Sequence, residues 1–409
     1  MRAIVLAGGG SKGAYQIGVW RALRKLNISY DIVTGTSVGA LNSAFMVQND
    51  YFKALLLWYN LKSSTVYDSS MKIESNKDFI KYAKKIFKDG GIKIDNLEKT
   101  VDKYINIEKI YKSKIDMGIV TVKFPSLEPL ELKKSDIPKD KLKDYLLASA
   151  SCFPAFPVKE IDGEEYIDGG FYDNLPINLA ISMGATEIIA VDLDFIGVKQ
   201  KIKDNSIPIR VISPSSKTGS FLIFDKISSR RAIRLGYNDT MKSFGKLEGN
   251  LFAFKKGSLK YNYLKYKDKF INKFHNFLNL EDKGLLSKIA HISVYAKVFN
   301  YDDPSFYQKF NDIVEKTGSI FDLDDSYLYS MNKYNKFLHL NLRKLSKHSF
   351  DDIYSNRNSS KIKRLFNDDL MVAYLYNYLN SGKDVSDISN IILIFPNAFL
   401  SALYLIITK

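Results

Sequence analysis

Hydrophobic and polar positions near the start of the chain alternate between two kinds of pattern. Arg2–Ala7 is a short apolar run that ends in consecutive glycines, which is typical of a first strand. Lys12–Leu26 has apolar residues at helical spacing, Tyr30–Thr34 is a second apolar run, and Val38–Val47 is again helical. This order of strand, helix, strand and helix predicts an α/β fold, with a parallel sheet core and helices on both faces.

Four further strands are predicted by later runs rich in Ile and Val: Asp116–Val122, Glu165–Ile167, Glu187–Leu193 and Ile207–Ile212. Between the early and later strands, residues 51–112 have a mostly helical, amphipathic pattern and are predicted to cap the sheet edge. From about residue 255 the composition shifts towards Tyr, Asn, Lys and Phe, and Lys361–Leu379 favours an amphipathic helix. We therefore predict an α/β domain at 1–254 and a mainly helical domain at 255–409.

Composition narrows the environment in which the protein works. Cys152 is the only cysteine, so an intrachain disulfide or a cysteine-based metal cluster is excluded. The net charge of +15 favours approach to anionic surfaces. The first apolar run is too short for a signal peptide, so we expect a cytoplasmic protein with peripheral membrane contact. Ile391–Ile407 is the most apolar late segment, and it fits either a buried terminal element or a membrane-inserted one.

The pattern G-x-S-x-G occupies Gly35–Gly39, between a predicted strand and a predicted helix. A serine at such a sharp turn projects its hydroxyl away from the backbone, and the two glycines let strand and helix approach closely. The serine also lies at a helix N-terminus, where unpaired amides and the helix dipole stabilise negative charge. Ser37 is therefore a candidate nucleophile.

A second glycine-rich turn, Gly8–Gly13, follows the first predicted strand. Its backbone amides can converge on an anion, and parallel strands would bring it to the same sheet edge as Ser37. The same glycines also satisfy the dinucleotide fingerprint G-x-G-x-x-G, which expects an acidic residue at the end of the second strand. That strand instead begins at Asp31 and ends at Thr34-Gly35. A dinucleotide-binding protein remains the alternative; a P-loop is excluded by the position of Lys12.

The base that would activate Ser37 is the next question. The four histidines are His275, His291, His339 and His348, all in the predicted second domain. A Ser–Asp–His triad would therefore need that domain to complete the site. Asp168 is the simpler candidate because it follows a predicted strand and precedes Gly169-Gly170, which allow close approach to its carboxylate. A lone Asp-Gly, however, is more often simply a turn.

Together the three motifs resemble the patatin-like phospholipase family, over about residues 1–250. The family has a glycine loop, a G-x-S-x-G elbow and a distant D-G-G/A motif in this order. Ala148–Pro154 and Asp173–Pro176 are similar to the segments around its acid. The resemblance implies a Ser37–Asp168 dyad, an oxyanion hole formed by the amides of Gly8, Gly9 and Gly10, and supporting roles for Lys12, Gly13, Gly35, Gly39, Gly169 and Gly170.

The function that this resemblance implies is hydrolysis of acyl esters of phospholipids or related lipids, of the phospholipase A or lysophospholipase type. We expect a lipid substrate, peripheral contact with a membrane surface, no cofactor, no metal and no nucleic acid. A second alternative is that residues 255–409 form the main interaction surface and recruit the chain to a membrane or a protein partner. The role of 255–409 and the identity of any protein partner are not predicted.

Overall fold

The computed structural model describes residues 1–67, 91–278, 300–345, 368–383 and 385–409, together with Tyr295 and Val298. The chain forms two compact units, Met1–Phe244 and Gly245–Lys409. The predicted boundary at residue 254 lies later than this division. Two short strands account for the difference, because Leu247–Glu248 and Ala253–Lys255 pair within the second unit.

The first unit is built on a sheet whose strand order is β5-β6-β3-β2-β1-β7-β8, with β4 also paired to β3. The strands are β1 Arg2–Leu6, β2 Ile32–Thr36, β3 Asp116–Phe124, β4 Pro129–Lys133, β5 Lys159–Ile161, β6 Glu164–Asp168, β7 Glu187–Val191 and β8 Ile209–Ile212. Every pairing among β3, β2, β1, β7 and β8 is parallel. The predicted α/β class and mainly parallel core are confirmed.

The far side of the sheet departs from the predicted parallel order. Strands β4 and β6 both run antiparallel to β3, and β5 runs antiparallel to β6. The β5–β6 connection is the two-residue turn Asp162-Gly163, in which both residues have positive φ. Turns this short can join only antiparallel neighbours, so the chain reverses here without a crossover helix.

Helices surround this sheet. Those of the described part of the first unit are α1 Ala14–Lys25, α2 Val38–Val47, α3 Tyr51–Asn60, α4 Ser63–Val66, α5 Asp95–Tyr104, α6 Ile107–Lys112, α7 Leu142–Ser149, α8 Ile177–Ser182 and α9 Lys226–Ser243. Short 3₁₀ turns lie at Gly10–Gly13, Lys134–Asp136, Lys139–Lys141 and Gly169–Phe171. The predicted cap corresponds to α3–α6; residues 68–90 lie outside the described residues.

The second unit is mainly helical, as predicted. Its described helices are α10 Ser258–Leu278, α11 Phe306–Ile320, α12 Met331–Leu345, α13 Asp368–Asn380, α14 Ser389–Ile394 and α15 Pro396–Ile407, with a 3₁₀ turn at Val385–Ile388. A small sheet pairs β9 Leu247–Glu248, β10 Ala253–Lys255 and β11 Leu328–Tyr329. Of the predicted helix 361–379, residues 361–367 lie outside the described residues.

Helix α15 decides between the two interpretations of the apolar C-terminal segment. Its side chains from Ala398 to Leu405 are buried in an aromatic-rich core. The segment is therefore a core helix of the second unit. Among the described residues, no helix combines the length and the apolar character needed to span a bilayer.

Candidate active site

Ser37 lies at the sharp turn between β2 and α2. Its backbone has φ 58° and ψ −128°, a conformation that non-glycine residues rarely adopt. The geometry is that of a nucleophile elbow, in which the turn presents the serine hydroxyl at the carboxyl end of the sheet. The Ser37 carbonyl already accepts the Ala40 amide, 2.9 Å away, so α2 begins at once behind the serine.

The two glycines of the elbow allow β2 and α2 to pack at backbone distance. A Cβ on Gly35 would lie 2.3 Å from the carbonyl oxygen of Gly39. A Cβ on Gly39 would lie 2.2 Å from the carbonyl oxygen of Leu6, at the end of β1. Any side chain at either position would therefore push the helix away from the sheet. The predicted supporting role of both glycines agrees with this packing.

Asp168 ends β6 and is 4% exposed. The Ser37 hydroxyl donates a hydrogen bond to its carboxylate. The Gly170 amide donates a second one to Oδ1, at 2.8 Å. Burial raises the pKa of Asp168 to about 6, and these two hydrogen bonds oppose the shift. The group is therefore an ionised carboxylate at neutral pH with an unusually high proton affinity, which suits a base.

Strand β3 explains how two residues so far apart in sequence meet. Strand β2 pairs with Asp116–Val120 of β3, and β6 pairs with Thr121–Phe124. Because β4 pairs with residues 118–122, overlapping both stretches, β2 and β6 must share the opposite edge of β3. Thr36 is opposite Val120 and Asp168 is opposite Thr121. The two strands thus end head to head, and Ser37 follows at their junction.

Gly169 fills the junction between these strand ends. A Cβ at this position would lie 2.2 Å from the carbonyl oxygen of Val120 and 3.0 Å from Cγ2 of Thr36. The close approach leaves room for hydrogen alone. Gly169 therefore lets Asp168 reach Ser37, which gives the predicted D-G-G motif a steric basis.

One short segment after α7 braces both residues. The Ser37 amide donates to the Ser149 hydroxyl at 3.0 Å, and that hydroxyl donates to the Val120 carbonyl at 2.6 Å. Two residues later, the Ser151 carbonyl accepts the Asp168 amide at 2.9 Å. The sequence indicated this stretch only as a small-residue segment. Its role in bracing Ser37 and Asp168 is visible only in three dimensions.

The glycine loop lies beside Ser37 and offers two free amides. The Gly8 amide donates to the Asn174 carbonyl at 3.1 Å and the Ser11 amide to the Phe221 carbonyl at 2.9 Å. Among the described residues, the amides of Gly9 and Gly10 have no hydrogen-bond acceptor. The predicted oxyanion role of Gly8 conflicts with this geometry, because its N–H is already donated. Gly9 and Gly10 stay candidates.

A buried polar network that the sequence did not reveal ties the glycine loop to α2. The Asn42 side-chain amide donates to the Gly13 carbonyl at 3.1 Å and to the Gln16 side chain at 2.7 Å. Gln16 donates to the Ala7 carbonyl at 2.7 Å, and the Trp58 indole donates to Asn42 at 3.0 Å. Because each donor is satisfied, the network holds loop and elbow in one geometry.

Lys12 has a structural role in this arrangement. Its ammonium group donates to the carbonyls of Leu193 at 3.4 Å and Asp194 at 3.0 Å. Partial burial lowers its pKa, although the charges of Asp194 and Asp192 oppose that effect. Lys12 therefore fastens the glycine loop to the segment that follows β7.

Two cavities meet at Ser37. One is an apolar pocket, lined by Leu57, Trp58, Leu61, Val66, Leu97, Val101, Ile105, Phe156 and Phe224 among others. The other is an open cleft of about 660 Å³ that also contains Asp168 and Gly9. Cys152 and Phe221 line both cavities. An ester held at Ser37 would therefore have an apolar space on one side and an open one on the other.

Cys152 is the other nucleophilic side chain next to the site. Burial, and then the negative charge of Asp168, raise the pKa of its thiol to about 12. The thiol thus stays protonated at neutral pH and cannot compete as a nucleophile. Metal-ligand clusters are also missing: the described residues contain no group of three His, Cys, Asp or Glu side chains arranged around a cation.

The histidines lie outside the first unit. His275 and His339 belong to the second unit, where the His339 ring is hydrogen-bonded to the Thr408 hydroxyl at 3.1 Å. His291 and His348 lie outside the described residues. Within the first unit, the proton acceptor that contacts Ser37 is the carboxylate of Asp168.

Comparison with known proteins adds an independent finding. Residues 4–181 match the family model described as patatin-like phospholipase. Patatin-like phospholipase domain-containing protein 7 of Rattus norvegicus is 27% identical over 194 residues, which is 47% of this chain and 13% of that protein. Lysophospholipase NTE1 of Chaetomium globosum is 26% identical over 202 residues, 46% of this chain and 12% of that protein. The matched region is a small part of each relative.

Among solved structures, VipD from Legionella pneumophila is similar to this chain with a TM-score of 0.41. The sequence identity is 14%, over 99% of this chain and 91% of the other. The matched family range contains the glycine loop, the elbow and Asp168. It thus favours a lipid hydrolase over the dinucleotide-binding alternative for Gly8–Gly13.

Proposed function

Since residues 4–181 form a patatin-like phospholipase domain, we propose that the chain is a serine lipid acyl hydrolase with a Ser37–Asp168 dyad. The observation that carries the proposal is the hydrogen bond from the Ser37 hydroxyl to a buried carboxylate whose pKa is raised to about 6. A serine needs a proton acceptor within hydrogen-bond reach in order to attack an ester. In the first unit, Asp168 occupies that position.

Acylation then proceeds at Ser37. Asp168 takes the hydroxyl proton as Ser37 Oγ bonds to the ester carbonyl carbon, whose C=O electron pair moves onto oxygen. The free amides of Gly9 and Gly10 are placed to stabilise this oxyanion, together with the N-terminus of α2. The intermediate collapses, the bond to the alcohol breaks, and Asp168 returns the proton to the leaving oxygen. An acyl ester on Ser37 remains.

Deacylation reverses these roles with water as the nucleophile. Asp168 accepts a proton from water as the water oxygen attacks the acyl carbon. The tetrahedral intermediate then expels Ser37 Oγ, which recovers the proton from Asp168, and the fatty acid leaves. Because the same carboxylate acts as base and acid in each half, its proton affinity must lie close to the working pH.

The two cavities suggest how a lipid would be oriented. The pocket lined by Trp58, Leu97 and Val101 is almost wholly apolar, and it suits an acyl chain. The open cleft beside Asp168 has room for the alcohol part of the ester, which in a phospholipid carries the head group. This arrangement supports substrates of the phospholipase A or lysophospholipase type.

A fluorophosphonate probe tests the proposal directly, because it reacts with an activated serine in solution without a membrane. We expect covalent labelling of the wild-type chain at Ser37 and hydrolysis of a lysophospholipid to free fatty acid, detected by mass spectrometry. Ser37→Ala should lose both. The exposed serine variant Ser135→Ala should keep both. Labelling of Ser37→Ala at wild-type level would refute the assignment.

A further inference from the structure

Three exposed apolar side chains surround the mouth of the cleft that contains Ser37 and Asp168. Ile196 is 93% exposed, and Phe171 and Val198 are each 48% exposed. All three line the cleft. Single exposed apolar residues are ordinary on protein surfaces, but a group around one opening marks an interaction surface. We call these three residues the mouth cluster.

The backbone holds the mouth cluster in place. The Val198 amide donates to the Gly170 carbonyl at 3.1 Å, and the Asn174 amide donates to the Val198 carbonyl at 2.6 Å. Gly197 packs against Asn174 so closely that a Cβ on the glycine would lie 2.8 Å from the Cβ of Asn174. The segment that carries Asp168 thus also fixes the loop tip, and Ile196 is presented outward.

Apolar contact continues from this tip into the active site. Behind Ile196, the rings of Phe195 and Phe221 stack with their centroids 4.6 Å apart. Phe221 lines both the cleft and the apolar pocket, where it is close to Ser37. A lipid tail leaving a bilayer at the tip would therefore meet apolar side chains along its path to the nucleophile.

Charges around the loop permit approach to an anionic lipid surface. Asp192 pairs with Lys199 at 2.5 Å, and the charge of Asp194 faces Lys12. Beyond the tip, Lys201 and Lys203 are exposed, and the whole chain carries a net charge of +15. The acidic residues that precede the tip are thus compensated, while the exposed lysines and the overall charge attract anionic lipid.

From these observations we infer that the mouth cluster inserts into a lipid surface of anionic composition and thereby brings the cleft to its substrate. The inference rests on the proposed function, since it assumes an ester substrate that resides in a bilayer. Ile196 is the main insertion residue because almost all of its surface is available for burial. Burying such side chains in the acyl boundary supplies the apolar part of peripheral binding.

Tryptophan fluorescence locates the insertion without requiring catalysis. In a Ser37→Ala background, Ile196→Trp and Ile227→Trp each add one exposed tryptophan to the two native ones, Trp20 and Trp58, which are buried. Ile227 is the matched control because it is 82% exposed and lies outside the cleft lining. Each protein is mixed with vesicles of phosphatidylcholine and phosphatidylglycerol, with and without brominated acyl chains.

We expect a blue-shifted emission that brominated lipid quenches for Ile196→Trp, and an unchanged emission for Ile227→Trp. Ile196→Ser should lower partition onto the vesicles by roughly tenfold, and Ile227→Ser should not. Co-sedimentation with unchanged emission at position 196, or no co-sedimentation, would overturn the inference. Because labelling of Ser37 needs no membrane and this assay needs no hydrolysis, the two proposals fail independently.

Discussion

Replacing Asp168 by asparagine should have opposite effects on activity and stability. Asparagine has nearly the same shape, and its side-chain oxygen can still accept the Gly170 amide, but it cannot take a proton from Ser37. A general base typically contributes roughly 100-fold to 10,000-fold in rate, so we expect a loss of that size. The same substitution removes a charge that is buried at the end of β6.

The stability gain follows from the raised pKa. Burial moves the pKa of Asp168 from 3.8 to about 6, so between these values the folded protein holds a proton that the unfolded chain releases. Wild-type stability therefore falls as pH rises through this window. A shift of about two pKa units corresponds to about 3 kcal/mol. Relative to wild type, Asp168→Asn should gain about that much stability from pH 4 to pH 7.

Urea unfolding of both proteins at several pH values measures this difference. Asp173, whose pKa burial also raises to about 6, titrates in both proteins and cancels in the comparison. The pH dependence of the difference is the decisive quantity, because a packing defect would shift stability equally at every pH. A difference that stays flat between pH 4 and pH 7 would refute the description of Asp168 as a buried, destabilised carboxylate.

Three further outcomes follow from the site. The kcat/KM of the wild type should fall about tenfold per pH unit below pH 6, as Asp168 takes up a proton; a flat profile down to pH 5 would contradict this. Leu97→Trp should narrow the apolar pocket and lower kcat/KM on a palmitoyl ester roughly tenfold more than on a butyryl ester, and equal losses would argue against an acyl pocket. Joint replacement of His275 and His339 by alanine should retain most activity, whereas a loss as deep as that of Ser37→Ala would implicate a histidine.

Local sequence patterns predicted the elements whose information lies within a few residues. The apolar runs of β1 and β2 and the turn at Ser37 are encoded locally, and each lies where it was predicted. Strands β4 and β5 were not predicted, because Pro129–Lys133 and Lys159–Ile161 are short, partly charged and only half-buried. Their place in the sheet depends on pairing with β3 and β6 rather than on their own pattern.

Roles that depend on a distant partner were not visible in the sequence. The amide of Gly8 looks available from the glycine pattern alone, yet the Asn174 carbonyl takes it. Ser149 is an ordinary small residue in sequence, although its hydroxyl holds the Ser37 amide. Both contacts join residues more than 100 positions apart. Only the folded sheet edge brings such residues together, and no periodicity encodes them.

The head-to-head junction of β2 and β6 is the feature that creates the dyad, and Gly169→Ala tests it. A methyl group there would lie 2.2 Å from the Val120 carbonyl oxygen, which forces the end of β6 away from β3. Overpacking of this kind costs about 1–3 kcal/mol, so the unit should still fold while Asp168 is displaced from Ser37.

Gly163→Ala is the matched control for this test. Gly163 lies in the β5–β6 turn, where a Cβ would meet nothing within 4 Å, but its φ of +83° makes alanine strained. Both variants should lose stability, and only Gly169→Ala should lose most of the hydrolytic rate and fluorophosphonate labelling. Equal activity of the two variants at equal folded fraction would show that the junction does not position Asp168. Loss of activity in both would instead trace the defect to stability, because Gly163 touches neither Ser37 nor Asp168.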